Sequence, residues 1–369
     1  MLSNEVLQAL IFSAPMGCAL VCIIVTQVDL FTGKKNGQEK SLRLFLSFAF
    51  MVGAMCWLYP VFQVTNQEAC VRYFSTYAFV SMLDQVLIYR FVYFITFSEQ
   101  SNRFSRLHFV TIFLFMVFIV VTDVIVPFDR KMEVAYGGDE GDHWYAILYR
   151  LISVTIIIYR IVYPILGIVR IRRYKHTIGD YYADAHSVSL NWFMIIQILL
   201  LISIPIQLYE LLRDTDSFSV SWLSVLVPFL AFFIYPILCY NLLVDNYVTI
   251  VFEDDHLPNN TTEIDPKRFI QYLHDKKTFL NPRLLITDVA SDLCTNRNYV
   301  SKFINNTYGM NFNQFINGYR LKELDRLRLS PDHKNDTTTE LVWAAGFNSY
   351  RSYIRAKKAE YDKSILKTF

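Results

Sequence analysis

Charge is scarce in this chain, and so are glycine and proline. Charged residues make up 18% of 369 positions against roughly 25% in soluble domains, which excludes a solvated, disordered polymer. Only 12 glycines and 11 prolines occur, which excludes collagen-like and low-complexity chains. The six cysteines, Cys18, Cys22, Cys56, Cys70, Cys239 and Cys294, contain no Cys-x-x-Cys spacing and no matching histidines. A zinc ribbon, a dithiol redox centre and a secreted disulfide framework are therefore not expected. Cys18 and Cys22, one turn apart in an apolar run, read as small buried hydrophobes. There is no metal triad, nucleophile elbow or glycine-rich phosphate loop, so neither an enzyme nor a cofactor is expected. What is abundant is apolar surface: 53% hydrophobic residues and a mean hydropathy of +0.28.

That apolar content falls in seven runs, at about 6–28, 42–62, 72–97, 108–126, 145–168, 189–211 and 221–244. Each can cross a hydrocarbon core about 30 Å thick at 1.5 Å per residue, and in lipid such runs must be helices because backbone polar groups have no water to bond. The first run lacks a basic flank before it and a small-residue cleavage site after it, so it reads as a retained span. Orientation follows from the basic residues of alternate connections. Lys34, Lys35, Lys40, Arg43, Arg103, Arg106, Arg170, Arg172, Arg173 and Lys175 form one set, and only Arg72, Arg130, Lys131 and Arg213 form the other. The richer set belongs in the cytoplasm, which places the N-terminus outside and everything beyond about residue 245 inside. Trp57, Tyr59, Trp144 and Trp222 fall near the outer boundary, as interfacial anchors do.

Charges inside spans are costly and their depths can be compared. Asp84 and Arg160 lie at similar depth, roughly 18 and 22 Å from the outer boundary at the helical rise, and are expected to pair. Asp123 and Arg150, both near outer ends, are expected to pair likewise, and Arg90 is near enough to the inner face to snorkel. Two readings stay open for these charges: a ligand or proton site facing the exterior, or pairs that only hold the bundle together. The loop 127–143, with Asp129, Glu133, Asp139, Glu140 and Asp142, reads as solvated rather than as a calcium site.

Past Leu243 and Val244 the stretch 253–260 is polar with a breaking proline and marks a boundary. Residues 1–250 hold 17 basic and 18 acidic side chains, whereas 281–369 hold 14 and 9. A basic tail of this kind suits an anionic partner. Asp265 and Pro266 read as the N-cap and first position of a helix with Phe269, Ile270 and Leu273 on its apolar face. From Leu284 to Asn306 two short helical patterns are separated by a polar turn, which predicts a helix-turn-helix. Thr287 is placed to cap its first helix, with Val289, Ala290 and Leu293 inward. Asn296 is placed to cap the second, with Val300, Phe303 and Ile304 inward. Arg297, Asn298, Ser301, Lys302 and Asn305 are left on the exposed face, as donors and acceptors suited to base edges and phosphates in a major groove.

Over roughly 280–360 the residues resemble the AraC-type transcription regulators. Tyr308-Gly309-Met310-Asn311-Phe312 through Asn317, followed by Tyr319-Arg320-Leu321, is similar to that family's turn and the start of its long connecting helix, here about Phe312 to Leu329. Thr339 to Tyr353, with Gly346-Phe347-Asn348-Ser349, resembles its second helix-turn-helix. The resemblance implies that Asn298, Ser301 and Lys302 face bases in the first motif, and Tyr350, Arg351, Ser352 and Arg355 in the second; Asn296 and Arg297, at the start of the first recognition helix, are expected at the DNA as well. One linker helix can hold two recognition helices about 34 Å apart, one duplex turn. The sequence departs from the pattern at Val342 and Leu324, where the family has alanine, and at Lys357, Asp362 and Ile365, where it has Phe, Gly and Pro. The departures at Val342, Lys357, Asp362 and Ile365 predict a looser second motif that anchors phosphates more than it reads bases, whereas a small repacking can absorb Leu324.

The expected architecture is all-α: a seven-helix transmembrane bundle over 1–246, a linker over 247–264, and a cytoplasmic DNA-binding domain with two helix-turn-helix motifs over 265–369. The expected function is a transcription regulator tethered to a bacterial inner membrane. Its partners would be double-stranded DNA, the lipid bilayer, a second copy in a homodimer, and a small-molecule or protein signal. The competing reading is a receptor or transporter whose tail docks a protein.

Overall fold

The computed structural model describes residues 4–32, 37–96, 104–136, 144–184, 190–212, 222–244 and 264–366. Among these, regular structure is entirely helical apart from one isolated antiparallel bridge between Tyr182 and Leu285. The expected linker, except Ile264, lies outside the described residues, as do Lys34, Lys35, Arg103, Arg213, Asp139, Glu140 and Asp142. The chain divides into two units, 1–171 with 190–250 and 172–189 with 251–369.

Seven helical segments of the first unit are long and apolar enough to cross a membrane: Asn4–Thr32, Glu39–Thr65, Gln67–Ile95, Leu107–Ile125, Trp144–Lys175, Asn191–Leu212 and Leu223–Leu243. They coincide with the seven apolar runs. Helix α1 is Asn4–Thr32, α2 Gly37–Cys56, α3 Leu58–Thr65, α4 Gln67–Ile95, α5 Leu107–Ile125, α6 Phe128–Tyr136, α7 Trp144–Ile178, α8 Asn191–Ile202, α9 Ile204–Leu212 and α10 Leu226–Leu243. Two spans are broken where proline removes a donor. Pro60 cannot donate to the Cys56 carbonyl, and Pro205 cannot donate to that of Leu201. At the second break the Ser203 hydroxyl donates to the Leu200 carbonyl at 2.7 Å, the kind of local substitute that apolar surroundings demand.

Burial in this unit is inverted relative to a water-soluble domain. Of the 19 residues of α5, Ile112 and Ile119 are buried, while Phe113, Leu114 and Val124 stand 61%, 62% and 82% exposed. A helix that is apolar all round with so little covered suits lipid and not water. The core joins α4, α5 and α7 through Ala78, Met82, Val86, Ile112, Ile119, Ile152 and Ile156.

The second unit holds α11 (Pro266–Lys276), α12 (Ile286–Asp292), α13 (Arg297–Tyr308), α14 (Phe312–Leu329), α15 (Thr338–Ala344) and α16 (Tyr350–Leu366). Asp265 caps α11 as expected, its carboxylate accepting from the Lys267 amide at 3.1 Å. Two cores share α14. Phe312, Phe315 and Ile316 enter the first with Phe269, Leu273, Val289, Val300 and Ile304. Leu324 and Leu327 enter the second with Leu341, Val342, Phe347 and Tyr353. One boundary differs from the sequence reading, which counted 172–189, a connection between spans, within 1–246. Ala183 is wholly buried in the first of these cores, so the connection after α7 contributes to the second unit.

Candidate functional site

The pair α12 and α13 is fixed by local signals. The first cap is displaced from Thr287: α12 begins at Ile286, and the Asp288 carboxylate accepts from the Leu285 amide at 2.9 Å. The anion at the helix start also suits the macrodipole. The turn passes through Cys294, whose φ of 52° is left-handed, and Asn296 caps α13 by accepting from the Tyr299 amide at 3.1 Å. Val300 and Ile304 point inward and are wholly buried. Asn298, Lys302 and Asn305 remain exposed, with Ser301 half-buried beside them. Arg297 corrects the sequence reading. It is 5% exposed, and its guanidinium lies 5.1 Å from the ring centroid of Tyr181, so an aromatic face takes up the cation expected to face DNA.

In the pair α15 and α16, Thr337 and Glu340 cap each other. The Thr337 amide donates to Glu340 Oε2 at 2.7 Å and the Glu340 amide to Thr337 Oγ1 at 3.3 Å. That hydrogen bonding holds the exposed Glu340 carboxyl below its ordinary range. The looser packing expected from Val342 is not found, because its side chain is fully enclosed, and Leu324 is accommodated at 1% exposure. The methyl groups fill space between α14, α15 and the Phe347 and Tyr353 rings. Lys357 lies with Nζ 5.9 Å from the Tyr353 ring, and the side chains of Asp362 and Ile365 lie outside the described residues. Tyr350, Arg351 and Arg355 are exposed at the start of α16. Ser352 is not free to read bases: its hydroxyl donates to the Ser349 carbonyl at 2.8 Å and accepts from the Ser349 amide at 3.2 Å.

A junction that the sequence did not signal holds the two pairs. Arg320, 1% exposed, donates from Nε to the Phe279 carbonyl and from Nη2 to that of Asn281, both at 2.7 Å. Its Nη1 donates to the Ala183 carbonyl and Asn317 Oδ1, both at 3.3 Å, and the guanidinium stands 5.8 Å from the Phe347 ring centroid. Burial pulls its pKa down to about 10, with the Asp184 carboxylate acting the other way, so it stays charged at neutral pH. Beside it Gly346 has a φ of 90°, and a Cβ there would lie 2.6 Å from Leu280 Cα and from the Phe279 carbonyl oxygen. Only glycine tolerates that approach at that φ.

The first unit contains a cavity of about 740 Å³ lined by Trp57, Tyr59, Tyr77, Tyr149, Tyr235, Asp84, Arg150, Arg160, Gln207 and Glu210 among others. Aromatic stacking forms part of its wall: the Tyr59 and Tyr77 centroids are 4.2 Å apart, as are those of Phe74 and Tyr149. Arg160 donates from Nη2 to Tyr77 Oη at 3.0 Å and Ser81 Oγ at 2.9 Å, and from Nη1 to Gln207 Oε1. The structure brings Asp84 and Arg160 to one cavity without joining them as an ion pair. Tyr77 and Ser81 precede Asp84 on the same stripe of α4 and take the guanidinium, while Asp84 Oδ2 accepts from Gln85 Nε2 at 3.2 Å. The second expected pair is also replaced. Asp123 meets Lys131 at 2.7 Å, because α6 folds that lysine back on the end of α5, and Arg150 lines the cavity instead. Arg43, counted with a connection in the sequence, is wholly buried and bonded to Asp29 at 2.5 Å. Arg90 lies 5.4 to 5.6 Å from the rings of Phe45, Phe104 and Phe109.

Comparison with protein-family models, with curated proteins and with solved structures gives no match to this chain.

Proposed function

We propose that the chain is a membrane-tethered, sequence-specific DNA-binding regulator of transcription, similar to the AraC type. Its seven spans lie in a bacterial cytoplasmic membrane, with the N-terminus outside and the second unit in the cytoplasm. The observation that carries the reading is the pair of capped helices α13 and α16 set on one shared helix, α14. The first leaves Asn298, Ser301 and Lys302 available, and the second leaves Tyr350, Arg351 and Arg355. Each is the second helix of a helix-turn-helix, and an α-helix fits the major groove. The short side chains on α13 suit base edges, while the arginines on α16 suit guanine or phosphate. The cavity in the bundle, with a guanidinium among aromatic walls, supports a sensing role for the spans over a purely anchoring one.

The test is duplex binding by the full chain in lipid nanodiscs, using DNA recovered by cross-linking in cells. Binding should weaken with salt at a log-log slope near −0.9 for each of about 5 to 8 neutralised phosphates. Lys302→Ala with Arg351→Ala should abolish the specific footprint. A flat salt response with no footprint would assign the tail to a protein partner and overturn this reading.

A further inference from the structure

Residues 179–183 enter the second unit as a ready-made structural element. Tyr182 and Leu285 form an antiparallel bridge. On one side of it the Ala183 amide donates to the Leu284 carbonyl at 3.1 Å, and on the other the Ile286 amide donates to the Tyr181 carbonyl at 3.0 Å. The Asn313 amide donates to the Gly179 carbonyl at 3.0 Å, and its side-chain Nδ2 to the Ala183 carbonyl at 2.6 Å. Arg320 reaches that same carbonyl, and Tyr181 carries the Arg297 guanidinium.

These contacts fall on the residues that position α13. Ile286 opens α12, Arg297 opens α13, and Asn313 lies in the first turn of α14, the helix that follows α13. Without the segment, the Ile286 amide, the Leu284 carbonyl and the Asn313 donors lose their partners, Arg320 loses one of its acceptors, and a void opens where Ala183 sat. Unmade hydrogen bonds and voids in a core this small are destabilising.

The geometry points to residues 179–183 as a positioning element for α13, supplied not by the tail but by the connection that follows α7. The tail from 264 onward is then an incomplete unit. The chain ties its second unit to the apolar bundle three times, through α7 and α8 at the two ends of 172–189 and through the stretch after α10. That this controls DNA reading rests on the function proposed above; that the segment is seated does not.

The test uses the full chain in native membranes. Tyr182→Cys with Leu285→Cys is introduced after the six native cysteines are replaced by alanine, with a protease site placed within 251–263. A non-hydrogen-bonded antiparallel pair brings its Cα atoms to about 4.5 Å, well inside disulfide range. Oxidation should therefore leave the two cleavage products joined in most chains, whereas the single-cysteine variants fall apart. Should the cysteine replacements unfold the protein, a photoreactive benzoylphenylalanine at position 182 in the native background serves instead, with adducts expected within 279–286. Products that separate, or adducts that map elsewhere, overturn the seating.

In parallel, Ala183→Glu should raise amide exchange over 284–308 at least about tenfold while α4 stays protected, and Ala183→Ser should not. Unchanged exchange in the Glu variant also overturns the seating. Faster exchange together with unaltered duplex binding overturns the positioning role. Failure of the wild-type chain to bind any duplex, with seating intact, overturns the DNA-binding reading alone.

Discussion

The two units each place an arginine among neutral acceptors, and the difference lies in what those acceptors are. Arg320 is held by the backbone carbonyls of Phe279, Asn281 and Ala183. A carbonyl cannot swing away to find another donor, so removing the cation strands it. Arg160 is held by the side chains of Tyr77, Ser81 and Gln207 at the wall of a cavity. Those groups can turn to other partners or to a bound molecule. The same residue type is thus a structural rivet in one unit and an adaptable contact in the other. Of the five guanidinium donors, three are taken at Arg160, which leaves two for an acceptor-bearing ligand.

Substituting both arginines alike breaks or sharpens this contrast. Arg320→Met should be strongly destabilising, because each buried carbonyl left without its donor costs about 1 to 3 kcal/mol. Hydrogen exchange should show the second unit losing protection while α4 and α7 keep theirs; preserved protection over 279–320 would refute the rivet. Gly346→Ala should cost about 1 to 3 kcal/mol in backbone strain, besides the steric contact with Leu280, and lower the thermal midpoint of the second unit only. Arg160→Met should destabilise the bundle less than Arg320→Met destabilises the second unit, because side-chain acceptors can turn to new partners. A larger loss, read in denaturant titrations in detergent, would make it a rivet too.

The smallest effect concerns pH. Asp292 accepts from Tyr272 Oη at 2.8 Å and from Lys276 Nζ at 3.0 Å, and these hydrogen bonds, Tyr272 first, hold its carboxyl below the ordinary range. A depressed carboxyl stabilises the fold above its unfolded pKa, and that contribution fades as pH falls through the folded value. Being exposed, the site is worth less than about 1 kcal/mol. Asp292→Asn should lower the melting midpoint slightly at neutral pH and flatten the acid limb, the two proteins converging at low pH.

How legible these features were depends on the range of the forces involved. The seven apolar segments could be read because lipid crossing imposes a length and composition on consecutive residues. The start of α13 could be read because Asn296 caps within three residues of itself. The ion pairs could not, since depth along a helix says nothing of the direction a side chain faces; Asp123 turned to Lys131, nearby in the chain, and Arg160 to hydroxyls. Arg297 was misplaced because its partner, Tyr181, lies in a different connection. Arg320 resembles its helix-mates Arg326 and Arg328 in sequence, and only the fold shows which of the three is enclosed. The bridge at Tyr182 is a backbone pairing with no side-chain pattern to announce it.

The threefold attachment of the second unit bears on how such a protein could be switched by proteases. A single cut between residues 245 and 263 severs one strand of connection, but α7 and its seated continuation still moor the severed piece to the bundle. Liberation into solution would require either further incisions on both sides of 179–183, toward α7 and toward α8, or extraction of that segment from its slot. For the tethered regulator proposed above, activation by one clip is therefore disfavoured by the way this chain is threaded.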